Sequence, residues 1–553
     1  MKQSDNWKHR GPLCMLGLLL AILIVCPLVM IFARAVIPDG RFDLSGAWAA
    51  VSDRDNLNTI FNSLVLGACV TALSTAIVAP LAYLFARTSL ARARWLDIVF
   101  MIPFMTPPYI ASMGWILFMQ KKGLFQQLFP GSGSISEGFF SFGGLVLTMS
   151  LHVFPFMLTI LKNAMLNIPA SLEESGAVFG AGFRQRLGKI FMPLLSGNYA
   201  IAALLVFVKT LSEYGTPSTL GRRIGFYVFT TDIHRHATTA PVDFGKAASL
   251  SSVLVGICLV LWWVQNYITV KKSYRLVSGK GSRSHMTELK GGKGFLAWFY
   301  VIFVLAVAVG IPYFSVISTS LIKLRGYGLA AGNFTVRHYV DLFMKNPKGC
   351  QALINSLGLA AGSATIAAVL GTMTVTAVRR SSRKAGKALE AVSLLPEMLP
   401  GIVLVIGIML FWNAVYKVVP LYNTMGIMIL AYVALFLPYT IQYVTSSFTQ
   451  INDNLIWAGR TFGGAPSYVF LHITLPLIMK GVATGWMMTF IIAFRELVTA
   501  SLIAPPNTLV VSTFIMREFE QGSVSVGMAM AVLCMLFTTA ALVLLNLVLD
   551  RRR

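Results

Sequence analysis

The sequence predicts an all-α polytopic membrane protein of about 12 transmembrane helices, set out as two tandem six-helix repeats. Three observations carry that expectation. The 553 residues are 56% hydrophobic and only 12% charged, more apolar surface than a soluble core buries. Apolar runs of about 20 residues, each long enough for a hydrocarbon core of roughly 30 Å, recur about twelve times. Landmarks of the first half return in the second at a nearly constant shift.

Taken in order, the apolar runs of the first half lie near 13–36, 61–86, 98–119, 144–162, 194–215 and 248–270. Those of the second lie near 295–319, 353–378, 389–412, 425–445, 477–500 and 524–549. The first follows "MKQSDNWKHR", exceeds 20 residues and ends without a small-residue cleavage site, so it reads as a retained span, not a signal peptide. With the N-terminus inside, 25 Lys and Arg fall in inside segments and 15 in outside loops. The clusters "RRSSRKAGK" and "RRR" then lie inside, as the positive-inside rule requires. An even number of spans makes both termini cytoplasmic.

The net charge of +24 is scattered over short loops, which suits topology and contact with anionic membrane lipid and gives no reason to expect nucleic acid. Five of six cysteines fall in or beside apolar runs, so neither a disulfide framework nor a zinc site is expected. No cofactor is expected either.

The duplication is explicit in the residues. A shift of 283 lays Pro155 on Pro438, Gly180 on Gly463, Ile190 on Ile473, Pro193 on Pro476, Glu213 on Glu496 and Thr216 on Thr499. Upstream, a shift of 293 lays "NSL" at Asn62 on "NSL" at Asn355, Arg87 on Arg380, Pro103 on Pro396 and Pro107 on Pro400. The ten-residue difference belongs between the third and fourth spans. The expected domains are residues 1–270, a cytoplasmic linker at 271–294 and residues 295–553. The linker holds seven Lys or Arg among many Gly and Ser, which predicts flexibility. Six-span copies share one orientation, and a pathway is expected between them.

Between spans four and five, each half carries a polar stretch: "EESGAVFGAGFRQRLGKIFMP" and "WAGRTFGGAPSYVFLHITLP". Each reads as a short helix, a glycine, then an amphipathic turn ended by proline at membrane entry. Such a helix either offers a face to a partner or rests in the headgroups. The pattern Glu-Ala-Ala, three residues, Gly, nine residues, Ile, one residue, Leu-Pro resembles the signature of ABC importer permeases of the binding-protein-dependent type. The first copy matches at Glu174, Gly180, Ile190 and Pro193, with Ser175-Gly176 for Ala-Ala. The second matches at Trp457, Gly463, Ile473 and Pro476, with Ala458-Gly459. Trp457 stands where the motif has glutamate, a departure that bears on any charge contact there. The resemblance covers nearly the whole chain as two fused halves. It implies a coupling loop in each half, two copies of a cytoplasmic ATPase, a periplasmic substrate-binding protein and a place in the bacterial inner membrane.

The chain itself supplies no energy source, because no Gly-Lys pair is followed by Ser or Thr as a phosphate-binding loop requires. It is therefore expected to be a transport subunit, not an enzyme. The fused form, with "LSEYGTPSTLG" and "FRELVTASLIAPPNTL" ending the fifth spans, resembles ferric-iron permeases. Permeases for thiamine, aminoethylphosphonate and sugar phosphate are similarly built.

A carboxylate within a membrane costs roughly 2.5–3.5 kcal/mol on insertion scales, so Glu213 and Glu496 at matched positions suggest a use. They form a candidate pathway with Tyr214 and Glu397, hard oxygen ligands that suit ferric ion. The competing reading pairs Glu213 with Lys209 and Glu496 with Arg495 as salt bridges. Asp232, His234 and His236 resemble a metal site on paper, but alternation in a loop usually means nothing more. His152 suits a hydrogen bond between helices better than a ligand role. The third spans each hold two prolines four residues apart, Pro103 and Pro107, Pro396 and Pro400, which suit a kink or a gate. The rival functions are a secondary transporter driven through Glu213, Glu397 and Glu496, and a receptor that moves nothing.

Overall fold

The computed structural model describes residues 10–37, 48, 52–93, 95–271 and 286–550; most of the linker and the cationic ends of the chain lie outside them. The described residues are overwhelmingly helical. Ten helices are long and apolar enough to cross a membrane, and the expected third spans are present as bent pairs, which brings the number to 12 if each pair is one span.

The first half contributes Leu13–Val36, Arg54–Arg87, the pair Trp95–Met105 and Pro108–Met119, Phe142–Leu166, Phe183–Ser212 and Phe244–Thr269. The second contributes Gly291–Leu321, Pro347–Arg380, the pair Arg383–Met398 and Gly401–Ala414, Met425–Thr449, Pro466–Phe494 and Val524–Val543. We number these as spans one to six of each half.

The third spans bend by 89° and 111°. In each the second proline sets the break. Proline Cδ drives the preceding residue out of the helical region, and Thr106 and Leu399 take extended ψ of 132° and 149°. Pro396 lies inside its helix without breaking it, whereas Pro103 opens the short helix Ile102–Met105 after Trp95–Val99 has ended. The length difference falls where the changing shift places it: residues 120–141 carry the short helices Leu124–Leu128 and Gly133–Phe139, whereas residues 415–424 alone make the matching connection, after a helix that runs past Trp412, the counterpart of Met119, to Ala414.

Packing does not follow the order of the chain. One compact unit contains residues 1–51, 233–255 and 336–553; the other contains 52–232 and 256–335. The first span of each half therefore packs within the unit built on the other half's core. In the first unit Gly407 meets span one: a Cβ built on it would lie 2.5 Å from Pro27 O and 3.0 Å from Ile31 Cδ1. In the second unit Gly114, the repeat counterpart of Gly407, meets Pro312, whose carbonyl oxygen would be 2.7 Å from its Cβ. Both prolines follow a widened π-turn, Ala21–Val25 and Ala306–Gly310. Such a turn leaves a local irregularity in which a proline lacking its N–H is tolerated. Within the second unit Gly291–Leu321 is fixed further by Tyr300 Oη donating to Ile77 O (2.8 Å), the Thr106–Tyr313 hydroxyl pair (2.8 Å) and the Trp95–Trp298 stack.

Candidate functional site

The glycine loops between spans four and five share one geometry. Ala170–Val178 forms a helix, the chain turns at Gly180, Phe183–Arg186 restarts it, and a π-turn at Leu187–Phe191 leads into span five at Met192 and Pro193. In the second half the sequence is Asp453–Thr461, Gly463, Pro466–Val469, Phe470–Thr474, then Leu475 and Pro476. The glycines have φ of +78° and +85°, left-handed values that L side chains resist. Two bonds close each helix end: Ala181 N to Gly176 O (2.9 Å) and Gly180 N to Ala177 O (3.0 Å), matched by Gly464 N to Gly459 O (3.1 Å) and Gly463 N to Arg460 O (3.0 Å). This is a Schellman closure with glycine at C′. Among the described residues nothing beyond the glycine's own neighbours comes within 4 Å of a Cβ built on either glycine, so backbone conformation, not crowding, requires them.

The motif isoleucines explain the small residues before them. A Cβ on Gly176 would lie 3.0 Å from Ile190 Cδ1, and one on Gly459 would overlap Ile473. Helix and returning turn thus lock at the same spot in both loops. Glu174 and Trp457 are exposed, and the Arg460 guanidinium lies 5.7 Å from the Trp457 ring. Phe179 and Phe462, matched at the shift of 283, are 89% and 92% exposed. Both loops therefore present a bare aromatic ring beside the turn, a feature invisible to the motif pattern.

The loops differ beneath the surface. In the first, Glu173 is buried and paired with Arg186 at 3.3 Å; the second has apolar Ile456 and Val469 at those positions.

At the far end of each span five the carboxylates cap a helix. Glu213 Oε1 and Oε2 accept Thr216 N at 3.1 and 3.0 Å. Glu496 accepts Val498 N and Thr499 N, both at 2.8 Å. Each caps a short helical turn, Pro217–Gly221 or Val498–Ile503, where an acceptor at orphan N–H groups is stabilising. Lys209 instead lies over the Phe156 ring, 5.9 Å from its centroid, and no ion pair joins it to Glu213 among the described residues. Tyr214 is buried beside Glu213. The carbonyls of the same glutamates accept Thr230 Oγ1 (2.7 Å) and Ser512 Oγ.

The repeated "NSL" belongs to this arrangement. Asn62 Nδ2 donates to Tyr227 O (3.2 Å) and Ser63 Oγ accepts Phe229 N (2.9 Å). Asn355 Nδ2 donates to Leu509 O and Ser356 Oγ accepts Val511 N, both at 2.8 Å. Span two thereby fastens the segment that returns from the capped turn, and the motif was legible as a repeat before its partners were.

Glu397 is exposed and accepts a hydrogen bond from Gln442; its counterpart is Phe104, so it has no equivalent in the first half. Asp232, His234 and His236 do not converge. Asp232 is buried and accepts from Thr59 Oγ1 (3.4 Å), while His234 Nε2 meets Ser501 Oγ (3.1 Å). Among the described residues no group of three His, Cys, Asp or Glu is placed to hold a metal ion. His152 lines a small polar-rimmed recess with Thr106, Thr148 and Tyr313.

Fold and loops together define a multi-pass membrane protein built by duplication, each copy carrying one exposed glycine loop. The family of binding-protein-dependent transport system inner membrane components matches it twice, over residues 78–274 and 352–553, and the chain belongs to that family. It is a transport subunit of the ABC importer class that its loop motif resembles. Its relatives include the putative ferric transport system permease protein FbpB 1 of Haemophilus influenzae, 26% identical over 91% of this chain and 78% of that protein. The ferric transport system permease protein FbpB of Actinobacillus pleuropneumoniae is 25% identical over 96% of this chain and 76% of its own. The spermidine/putrescine transport system permease protein PotC of Haemophilus influenzae is 26% identical over 44% of this chain and 93% of its own. That last match is the length of one repeat, which fits a fused pair of halves.

Proposed function

We propose that this chain is the translocation subunit of an importer for ferric iron, handed over by a periplasmic binding protein and driven by two copies of a separate cytoplasmic ATPase. The observation that carries the proposal is the pair of matched glycine loops, each presenting an exposed phenylalanine beside a Schellman turn. Two equal ATPase subunits need two equal seats, and Phe179 and Phe462 are apolar anchors of the kind that dominate protein interfaces. Glu174, Gly180, Ile190 and Pro193 build one seat; Trp457, Gly463, Ile473 and Pro476 build the other. With these loops on the cytoplasmic side, both termini are cytoplasmic, in keeping with the Lys and Arg distribution.

Iron is supported by the ferric relatives, which match over 91% and 96% of this chain. In this reading the capped carboxylates hold the turns after span five and leave metal specificity chiefly to the binding protein. Glu213 and Glu496, two of the three carboxylates through which an ion-driven rival would run, serve backbone N–H groups as caps.

The test is reconstitution in vesicles with the binding protein and ATPase encoded beside it. Uptake of radiolabelled ferric ion that requires internal ATP, with two ATPases per permease by native mass spectrometry, is the expected result. Uptake driven by an ion gradient without ATPase overturns the importer reading. ATP-driven uptake of a phosphonate or polyamine but not iron overturns the cargo alone.

A further inference from the structure

The two seats look alike from outside but are anchored differently, and the difference centres on Arg87. This last residue of span two is fully buried. Its Nη2 donates to Met165 O (2.8 Å) and Ile168 O (2.6 Å), the carbonyls that end span four immediately before the Ala170 helix. The guanidinium also lies 5.4 Å from the centroid of Phe191, which begins span five. Glu173, inside the loop helix, is the carboxylate that opposes its charge and is shared with Arg186. Burying a guanidinium is costly unless carbonyls, a ring and a counter-charge offset it; Arg87 has all three nearby, from different sides of one loop, although its Nε and Nη1 are buried with no hydrogen-bond partner among the described residues.

The linker's far end joins the same point. Thr287 N donates to Arg87 O (2.9 Å) and Ser89 N to Thr287 O (3.1 Å), a short parallel bridge. Arg92 pairs with Glu288 at 2.8 Å. Tyr83, one turn earlier in span two, packs edge-on against Phe183 and Phe191 with ring centroids 5.3 and 6.1 Å away. The expected flexible linker is thus held over its last residues.

The second half lacks this arrangement. Arg380, the repeat counterpart of Arg87, is exposed, and its charged neighbour is another cation, Arg460. Thr474 replaces Phe191, Ile456 replaces Glu173 and Val469 replaces Arg186.

We propose that Arg87 is a positioning residue that clamps the first glycine loop to spans two, four and five, so that the first seat moves as one body with its spans, while the second seat, with Ile456, Val469 and Thr474 at the matching positions, has no equivalent clamp among the described residues. The two ATPases would then engage unequally, the first seat transmitting their motion and the second following it. This rests on the docking role proposed for the loops.

The test uses the full chain with its ATPase and compares Arg87→Gln with Arg380→Gln. Amide hydrogen exchange is read over 170–192 and 453–475, and ATPase stoichiometry by native mass spectrometry. Arg87→Gln is expected to speed exchange at least tenfold in 170–192 and not in 453–475, to leave two ATPases bound, and to lower ATP hydrolysis coupled to uptake. Arg380→Gln is expected to change none of these. Arg87→Lys, which keeps the charge but not the planar fork, should fall between. If Arg87→Gln does not assemble, Thr287→Pro removes the bond behind it together with the Thr287 side chain's bond to Tyr83, and Phe191→Leu removes the ring, and each should loosen 170–192 selectively. Equal exchange in both loops in all these variants, or equal effects of Arg87→Gln and Arg380→Gln, overturns the clamp. Wild-type protein that binds no ATPase overturns the docking role instead, and the exchange contrast still decides the clamp.

Discussion

The left-handed glycines allow a graded perturbation. At φ of +78° and +85°, Gly180 and Gly463 sit where an L side chain costs about 1–2 kcal/mol. Among the described residues nothing else lies within 4 Å of the new Cβ, so Gly180→Ala introduces that strain and no clash of its own. A residue under such strain relaxes by opening the two bonds that close the helix end, to Gly176 O and Ala177 O. If the closed turn is what the ATPase binds, then 1–2 kcal/mol weakens binding about 5- to 30-fold. Asn tolerates the left-handed region better than Ala, and a β-branched residue tolerates it least. The order should be Gly, Asn, Ala, Val at each position. Titrating purified ATPase onto nanodisc-embedded variants gives the affinities, and circular dichroism confirms that the spans persist. The reasoning is refuted if Ala binds as well as Gly, or if Asn is as damaging as Val, since neither follows from backbone strain. Equal loss for every substitution, Asn included, would show instead that the partner's approach leaves no room for any side chain.

Three further outcomes follow from the geometry. Glu213→Gln and Glu496→Gln keep an acceptor for the capped turn and should assemble and transport, whereas the Ala variants lose a cap worth about 0.5–2 kcal/mol and should show lower thermal stability in detergent size-exclusion assays; assembled but inactive Gln variants would favour direct metal contact. Gly407→Ala and Gly114→Ala force a methyl onto the carbonyls of Pro27 and Pro312 and should each cost about 1–3 kcal/mol, read as a lower midpoint of thermal aggregation, while Gly358→Ala, facing open space, should not. Phe179→Ser and Phe462→Ser each remove an exposed ring without disturbing a core and should weaken ATPase binding with no loss of protein stability; unchanged binding in the double variant would place the contact elsewhere.

The spans were legible because a membrane imposes length and apolarity on every segment alike, and the duplication was legible because Pro155, Gly180, Pro193 and Glu213 recur at one spacing. The break at Pro107 and Pro400 was foreseeable from proline chemistry, though the angle was not. Which span packs on which was hidden: lipid-facing and partner-facing residues are equally apolar, so only the small surfaces of Gly114 and Gly407 mark the contact, and they look like any other membrane glycine. Arg87 and Arg380 were aligned as equals, yet one is buried and the other exposed, because their surroundings depend on Glu173, Phe191 and Thr287, which are distant in the chain and unmatched in the repeat. The glutamates drew attention as charges, and their service to backbone N–H groups depends on a local turn that composition does not reveal.

The exchange of first spans has a consequence for how such a protein could be divided. A cut within residues 272–285 would leave two fragments of nearly equal length, but each would carry one helix that belongs in its sibling's packing and lack one that completes its own. Neither fragment would bury the faces of Gly114 or Gly407 by itself. Stability would become a property of the pair, falling with dilution, and an orphaned fragment would present an open flank to lipid and to quality-control proteases. Fusing the halves removes that dependence on concentration, because the missing helix is always supplied by the same molecule.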